Sequence, residues 1–203
     1  MRLLTLFSLF FFLFSTPLFA DEATEVRAKT KSSIDKVIAT LKNKSLKKEQ
    51  KKKQILDIVN PIFDFSKMAK ISLGKQHWTS FSQAQRKEFV SLFVTRLQES
   101  YLEKLDMYTD EEVLVDDART SKGNRIEVKT RLVSKDDSKD MEYKFYKSKK
   151  QNKWLVYDVV IMGVSVVQTY RSQFTGVLKK ESVDGLLKRL RQSGQFNVPA
   201  GVK

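Results

Sequence analysis

An α+β domain, with helices packed on a four-stranded antiparallel sheet, is the fold class this sequence predicts. Three observations carry it. Apolar residues recur every three to four positions up to about residue 105, then every second position in four successive segments, then every three to four again from Ser165. The breaks between the alternating segments, "SKGN", "SKDDSKD" and "SKKQNK", are short and rich in turn formers, which suits hairpins between antiparallel neighbours. Helices before and after one run of strands is the ordering of an α+β fold.

The first twenty residues, "MRLLTLFSLFFFLFSTPLFA", stand apart. Arg2 is followed by an apolar core from Leu3 to Phe14, then Pro17 and the small residue Ala20 before the acidic start at Asp21. That is the anatomy of a secretory signal peptide cleaved after Ala20, although Leu18 fits the small-x-small rule imperfectly. An uncleaved anchor is the alternative, and the apolar core is short for the roughly 20 residues a span needs. The expected organisation is therefore a signal at 1–20, one α+β domain over 21–193, and a flexible tail over 194–203.

The domain opens on a helical stripe of Val26, Ile34, Val37, Ile38 and Leu41. A second short helix carries Ile55, Ile58 and Val59 and stops at Asn60-Pro61. "FDFSKMAKISLG" reads as a short helix capped by Asp64 and ended by Gly74. The clearest helix starts at Ser82, where Ser82 and Gln85 form an S-x-x-Q capping box; Phe89, Phe93, Leu97, Tyr101 and Leu105 then recur every four residues.

Val113 and Val115 begin the first strand. Ile126, Val128, Thr130 and Leu132 alternate with Glu127, Lys129 and Arg131 in the second, and Met141, Tyr143 and Phe145 with Glu142 and Lys144 in the third. The fourth, Trp154 to Ile161, is apolar on both faces: simple alternation puts Trp154, Val156 and Val160 on one side and Leu155, Val159 and Ile161 on the other. Such a strand needs cover on both sides. Ser165 and Gln168 form a second S-x-x-Q box before a helix with Val164, Val167, Phe174, Val177 and Leu178 on its stripe, and a last helix near Ser182 carries Leu186, Leu187 and Leu190.

The formal charge is +14, or +13 without residues 1–20, and no cysteine occurs. An exported chain without disulfides holds together through its core alone. A strongly basic chain suggests nucleic acid, an anionic membrane or an acidic protein, and export argues against the first. The densest charge, "LKNKSLKKEQKKK" from Leu41 to Lys53, holds seven lysines and one glutamate, and reads either as a solvated helix face or as an anionic docking surface.

Catalytic equipment is scarce. The single histidine, His77, rules out a metal site built on several histidines, and neither a G-x-S-x-G elbow nor a glycine-rich phosphate loop is present. Asp116 and Asp117 are adjacent and on a regular strand would point to opposite faces. Asp158, an acid inside an apolar strand, reads as a buried carboxylate bonded to backbone donors or to an arginine. The expectation is no enzyme, no metal and no cofactor.

"FDFSKMAKISLGKQHW", "SQAQRKEFVSLFVTRLQESYLEKLDMY", "WLVYDVVIMGVSVVQTYRSQF" and "SVDGLLKRL" occur in this order. In that order and spacing the sequence resembles, over about Ile34 to Leu190, the periplasmic phospholipid-binding component of the Mla (maintenance of lipid asymmetry) system, the toluene-tolerance auxiliary component family. Tyr157, Asp158, Gly163, Val164 and Ser165 stand at matching positions. The resemblance implies a twisted antiparallel sheet backed by helices, similar to nuclear-transport-factor-2-like domains. It implies a hydrophobic cavity that takes glycerophospholipid acyl chains with the headgroup near solvent. It also implies a periplasmic address and a shuttle between an outer-membrane lipoprotein complex and an inner-membrane ABC transporter with a lipid-binding hexameric ring. No active-site set is carried over.

Candidate lipid-lining residues are Phe93, Leu97 and Tyr101 on the long helix, Val128 and Phe145 on the sheet, and Val160, Met162, Val167, Tyr170 and Phe174 around the glycine turn. For each, plain core is the alternative. Arg171 is a candidate for a lipid phosphate, for an ion pair with Asp158, or for solvent. The expected cargo is phospholipid, carried by a monomer that binds no nucleic acid. A hopanoid or other lipid carrier, and a non-lipid periplasmic adaptor for an acidic partner, are the other readings.

Overall fold

A computed structural model of the protein describes residues 19–105, 111–122, 124–135, 137–192 and 194–196. The expected signal peptide, apart from Phe19 and Ala20, and most of the expected tail fall outside them. The chain runs α1 (Phe19–Lys42), α2 (Lys48–Val59), α3 (Phe65–Leu73), α4 (Lys75–Ser80), α5 (Gln83–Leu105), β1 (Glu112–Ser121), β2 (Arg125–Val133), β3 (Ser138–Ser148), β4 (Lys153–Ile161), β5 (Val164–Ser165), α6 (Val166–Leu178) and α7 (Val183–Arg191).

Helix boundaries follow local chemistry. The Asp64 carboxylate accepts from the Lys67 N–H at 2.9 Å, and Gly74 ends α3 at φ 80°. Ser82 and Gln85 close their box in both directions, at 3.0 and 3.2 Å. The Ser182 hydroxyl accepts from the Gly185 N–H at the start of α7. One short helix, α4, carries His77 and Trp78 and has no counterpart in the sequence reading.

The sheet is an antiparallel meander in the order β1-β2-β3-β4-β5, with five strands rather than four. The extra strand is short: Val164 and Ser165 turn back on Ile161 and Val160 across Met162 and Gly163, both at positive φ (49° and 78°). That backbone matches the twist of a tight hairpin. It takes Val164 out of the predicted helical stripe and leaves it 42% exposed. On the same edge, farther along β4, Ile62–Asp64 pairs with Val156 through two backbone bonds of 2.9 Å.

Two bulges reset the alternation. Asp116 and Asp117 together oppose Lys129, so Val115 and Ala118 both face inward. On β4, Tyr157 is the extra residue between Val156 and Asp158. The inward set is therefore Val156, Val159 and Ile161, beside Phe145, Tyr143 and Met141 of β3. Alternation without a bulge assigned Val156 to the same side as Val160, and the bulge overturns that.

The outer sheet face is a lattice of charges: Arg131 with Asp116 at 2.8 Å, Arg119 with Glu127 at 2.8 Å and with Glu142 at 3.6 Å. Over the inner face α1 starts at one end of the sheet and runs toward the other, while near the β4 edge the N-terminal ends of α3 and α6 also reach outward-register residues, Lys67 over the Tyr146 ring and the Val167 N–H on Asp158. Glu22 pairs with Lys147 near the C-terminal end of β3. Arg27 then donates to the Val115 carbonyl at 2.7 Å and to that of Asp116.

Two cores result. One joins α3, α5, α6 and α7 through Met68, Leu73, Phe81, Phe89, Phe93, Tyr170, Phe174 and the α7 leucines. The other lies under α1, with Ala23 and Val26 on Ile126, Val128, Phe145 and Val156. Phe196, assigned by the sequence to the tail, packs edge-on against Phe174 with ring centroids 5.0 Å apart. An apolar ring loses less by ordering than it gains by leaving water.

Candidate lipid-binding cavity

Between the two cores the helices stand away from the sheet and enclose a cavity of about 470 Å³. That lies within the range of roughly 300–1,000 Å³ typical of small-molecule sites. The floor is the inner sheet face: Met141, Tyr143 and Phe145 of β3, Val156, Val159 and Ile161 of β4, with Val113 and Leu132 at one end. Ile34, Val37, Ile38 and Leu41 of α1 and Ile55, Leu56 and Val59 of α2 form one side. Phe63, Phe65 and Met68, Leu97, Tyr101 and Leu102 of α5, and Val166 of α6 complete it.

The two α1 hydroxyls of the wall are satisfied within their own helix. Thr30 donates to the Val26 carbonyl at 2.8 Å and Ser33 to that of Lys29 at 2.9 Å, which turns their carbon atoms to the lumen. Gln98 donates to the Asn60 side chain at 2.9 Å. The Tyr101 hydroxyl is buried without a hydrogen-bond partner, and burial first, then Tyr170 and Asp158, push its pKa far up. The phenol therefore stays neutral against the lumen. The charged residues of the wall, Lys104, Glu111 and Lys139, gather at one end. Lys104 lies at the close of α5 and Glu111 just before β1; Val113 pairs with Leu132, which pairs with Lys139. This half-exposed, charged end is the candidate mouth.

Of the residues singled out by sequence, Leu97, Tyr101 and Phe145 border this cavity. Phe93, Val128, Val167, Tyr170 and Phe174 do not; they are buried in the two cores. Val160 pairs with Ser165 and, with the bulge at Tyr157, lies off the inward set. Met162 is a turn residue, 50% exposed. Arg171 is exposed and packs by Gly74, not at the mouth, and Asp158 takes other partners. The long stripe of α5 thus serves two purposes: Phe89 and Phe93 stack in the core with centroids 6.1 Å apart, and one and two turns later Leu97 and Tyr101 reach the lumen.

Sequence reasoning missed the α1 and α2 wall. Its apolar stripes were legible, but they look like ordinary helix packing. That the sheet opposite stands too far off to fill them has no signature in the stripe.

Asp158 joins sheet to helix. It is 4% exposed, and its carboxylate accepts from the Ser165 hydroxyl at 2.7 Å and the Val167 N–H at 3.2 Å, at the start of α6. The positive end of that helix suits an acceptor there. The joint holds α6 so that Val166 faces the cavity. Burial nonetheless raises the Asp158 pKa from 3.8, against the lowering effect of Ser165 and Val167. A carboxyl whose pKa rises on folding adds stability below its unfolded pKa, and that contribution fades as pH climbs through the folded pKa. Asp158→Asn is therefore expected to remove this pH dependence and to hold stability at neutral pH. Asp158→Ala leaves a half-buried hydroxyl and a buried N–H without their acceptor and is expected to cost about 2–4 kcal/mol. Urea unfolding of both variants at several pH values checks this; equal losses would mean that the carboxylate's acceptors are unimportant.

Among the described residues no group of three histidine, aspartate or glutamate side chains is placed to hold a metal, and no helix is long and apolar enough to cross a membrane.

The chain is similar to lipid-handling proteins. A phospholipid-binding protein from Ralstonia solanacearum, solved in complex with a phospholipid, superposes with a TM-score of 0.71 at 26% identity, over 81% of this chain and 94% of that one. The intermembrane phospholipid transport system binding protein MlaC of Haemophilus influenzae is 24% identical over 120 residues, 58% of this chain. That match spans 56% of the relative, a little over half its length. The family described as "MlaC protein" matches residues 31–192, and the chain belongs to that family.

Proposed function

We propose that this protein is a periplasmic lipid carrier. It holds the acyl chains of a glycerophospholipid in the cavity, headgroup at the charged mouth, and carries lipid between an outer-membrane lipoprotein complex and an inner-membrane ABC transporter with its lipid-binding ring. In doing so it maintains outer-membrane lipid asymmetry. The observation that carries this reading is the cavity itself, a large apolar lumen between two complete cores in a chain of this family. A non-lipid adaptor has no use for such a lumen. Exported by a cleaved signal, the protein acts as a nuclear-transport-factor-2-like monomer without catalytic residues.

The energetics suit a ferry. Two sixteen-carbon chains hold about 28 methylenes at roughly 0.8 kcal/mol each, so bare transfer through water faces a barrier of about 20 kcal/mol. An apolar wall replaces that contact, and the lack of exact hydrogen bonds along it lets chains of different length slide in and out.

Mass spectrometry of lipids extracted from the protein, recovered from a bacterial periplasm without detergent, tests the reading. Near-stoichiometric glycerophospholipid is expected, whereas a polycyclic lipid would reassign the cargo. Lipid-free protein that also takes none from vesicles would sink the carrier. Val159→Trp, which projects a large ring into the lumen from mid-strand, is expected to cut bound lipid several-fold with the circular dichroism spectrum intact.

A further inference from the structure

We propose that the lysine-rich hairpin joining α1 to α2 docks the protein, mouth first, on an anionic phospholipid surface. The proposal takes its purpose from the carrier reading and its chemistry from the outer, solvent side of the hairpin.

The hairpin projects beyond the sheet. From Arg27, which bonds to β1 at Val115, α1 continues to Lys42 for about 22 Å at 1.5 Å per residue. From Val115 back to its start at Glu112, β1 covers only about 10 Å. The course of α1 from Glu22 at Lys147 to Arg27 at Val115, continued in a straight line, carries the hairpin tip past the end of β1 on the side of the candidate mouth. Its inner side, Ile38, Leu41, Ile55 and Leu56, is cavity wall. Its outer side carries Lys42, Lys44, Lys47 and Lys53 in solvent. Lys51 donates to the Leu41 carbonyl, tying the two helices where the wall ends. Acids offset little of this charge: Glu49 meets Lys52 at 3.4 Å and Asp57 meets Lys53 at 3.1 Å. The opposite lip is mixed, with Glu111, Asp137 and Asp140 beside Lys139. A negative surface therefore attracts the hairpin side first and fixes the orientation of the mouth.

Composition selects the partner class. All seven basic residues from Leu41 to Lys53 are lysine and none is arginine. Protein interfaces favour arginine and are depleted in lysine. A compact, strongly hydrated ammonium on a flexible stem suits a diffuse layer of phosphates, and clusters of four to eight basic residues on a helix are the pattern of anionic-lipid attraction.

Flotation of the periplasm-recovered protein with vesicles tests this. Binding is expected to phosphatidylcholine vesicles containing a minority of phosphatidylglycerol, not to phosphatidylcholine alone. It should vanish near 1 M salt, where the screening length shrinks to about 3 Å. The triple variant Lys42→Gln, Lys44→Gln, Lys47→Gln is expected to bind about 100-fold more weakly, from roughly 1 kcal/mol per lysine. Its melting temperature and lipid content should match the parent's. Absence of binding to anionic vesicles, equal binding to neutral ones, or a triple variant that binds like the parent would each overturn the proposal. A protein that carries lipid yet ignores vesicles would keep the carrier reading and lose the docking one. One that binds vesicles yet never holds lipid would do the reverse.

Discussion

Stripping the bound lipid is expected to lower the melting temperature by about 10 °C or more. A dry, rigid void of 470 Å³ would cost about 11 kcal/mol at roughly 24 cal/mol per Å³. That rivals the whole stability of an ordinary domain, about 5–15 kcal/mol. The figure is an upper bound, because the mouth admits water at one end and the α1–α2 side can settle toward the sheet. If only a third of it remains, the loss is about 4 kcal/mol, and each kcal/mol moves a domain of this size by about 2–4 °C. Adding lipid back should restore the melting temperature in proportion to the logarithm of its concentration. Calorimetry on stripped and reloaded protein decides it. Agreement within 2 °C would mean that the lumen closes or floods at no cost, and the cavity would lose its role as a storage site.

Phe174→Ala is expected to cost about 3–5 kcal/mol and to leave lipid content unchanged. Phe174 is fully buried and meets four rings: Phe89 at 5.4 Å, Phe93 at 6.1 Å, Tyr170 at 5.7 Å and Phe196 at 5.0 Å. Edge-on pairs of this kind add to the area term. Its neighbour Tyr170, 1% exposed, has its pKa pushed up to about 12 mainly by burial, the mark of core rather than of a wetted wall. The contrast is Leu97→Ala, one turn beyond Phe93 on α5, which widens the lumen and is expected to loosen lipid retention. Denaturant midpoints paired with lipid-to-protein ratios separate the two. Loss of lipid from the Phe174 variant at unchanged stability would show that the lumen extends into the aromatic cluster.

Much of this molecule was legible in its sequence, because the governing interactions are local. The Ser82–Gln85 box, the Asp64 cap, the Gly74 stop and the alternation in Ile126–Leu132 each rest on residues within a few positions of one another, and each forms as read. The α+β ordering and the antiparallel meander follow from them. What only the tertiary structure decided is nonlocal. A single bulge at Tyr157 moves Val156 from one face of β4 to the other, because one extra residue inverts a period of two. The two-residue β5 is too short to show any period. Whether an inward apolar side chain meets another side chain or an open lumen depends on how far a helix stands from the sheet. Leu97 and Phe93 share one stripe and one chemistry, and only the spacing of α1 and α2 from the sheet separates wall from core.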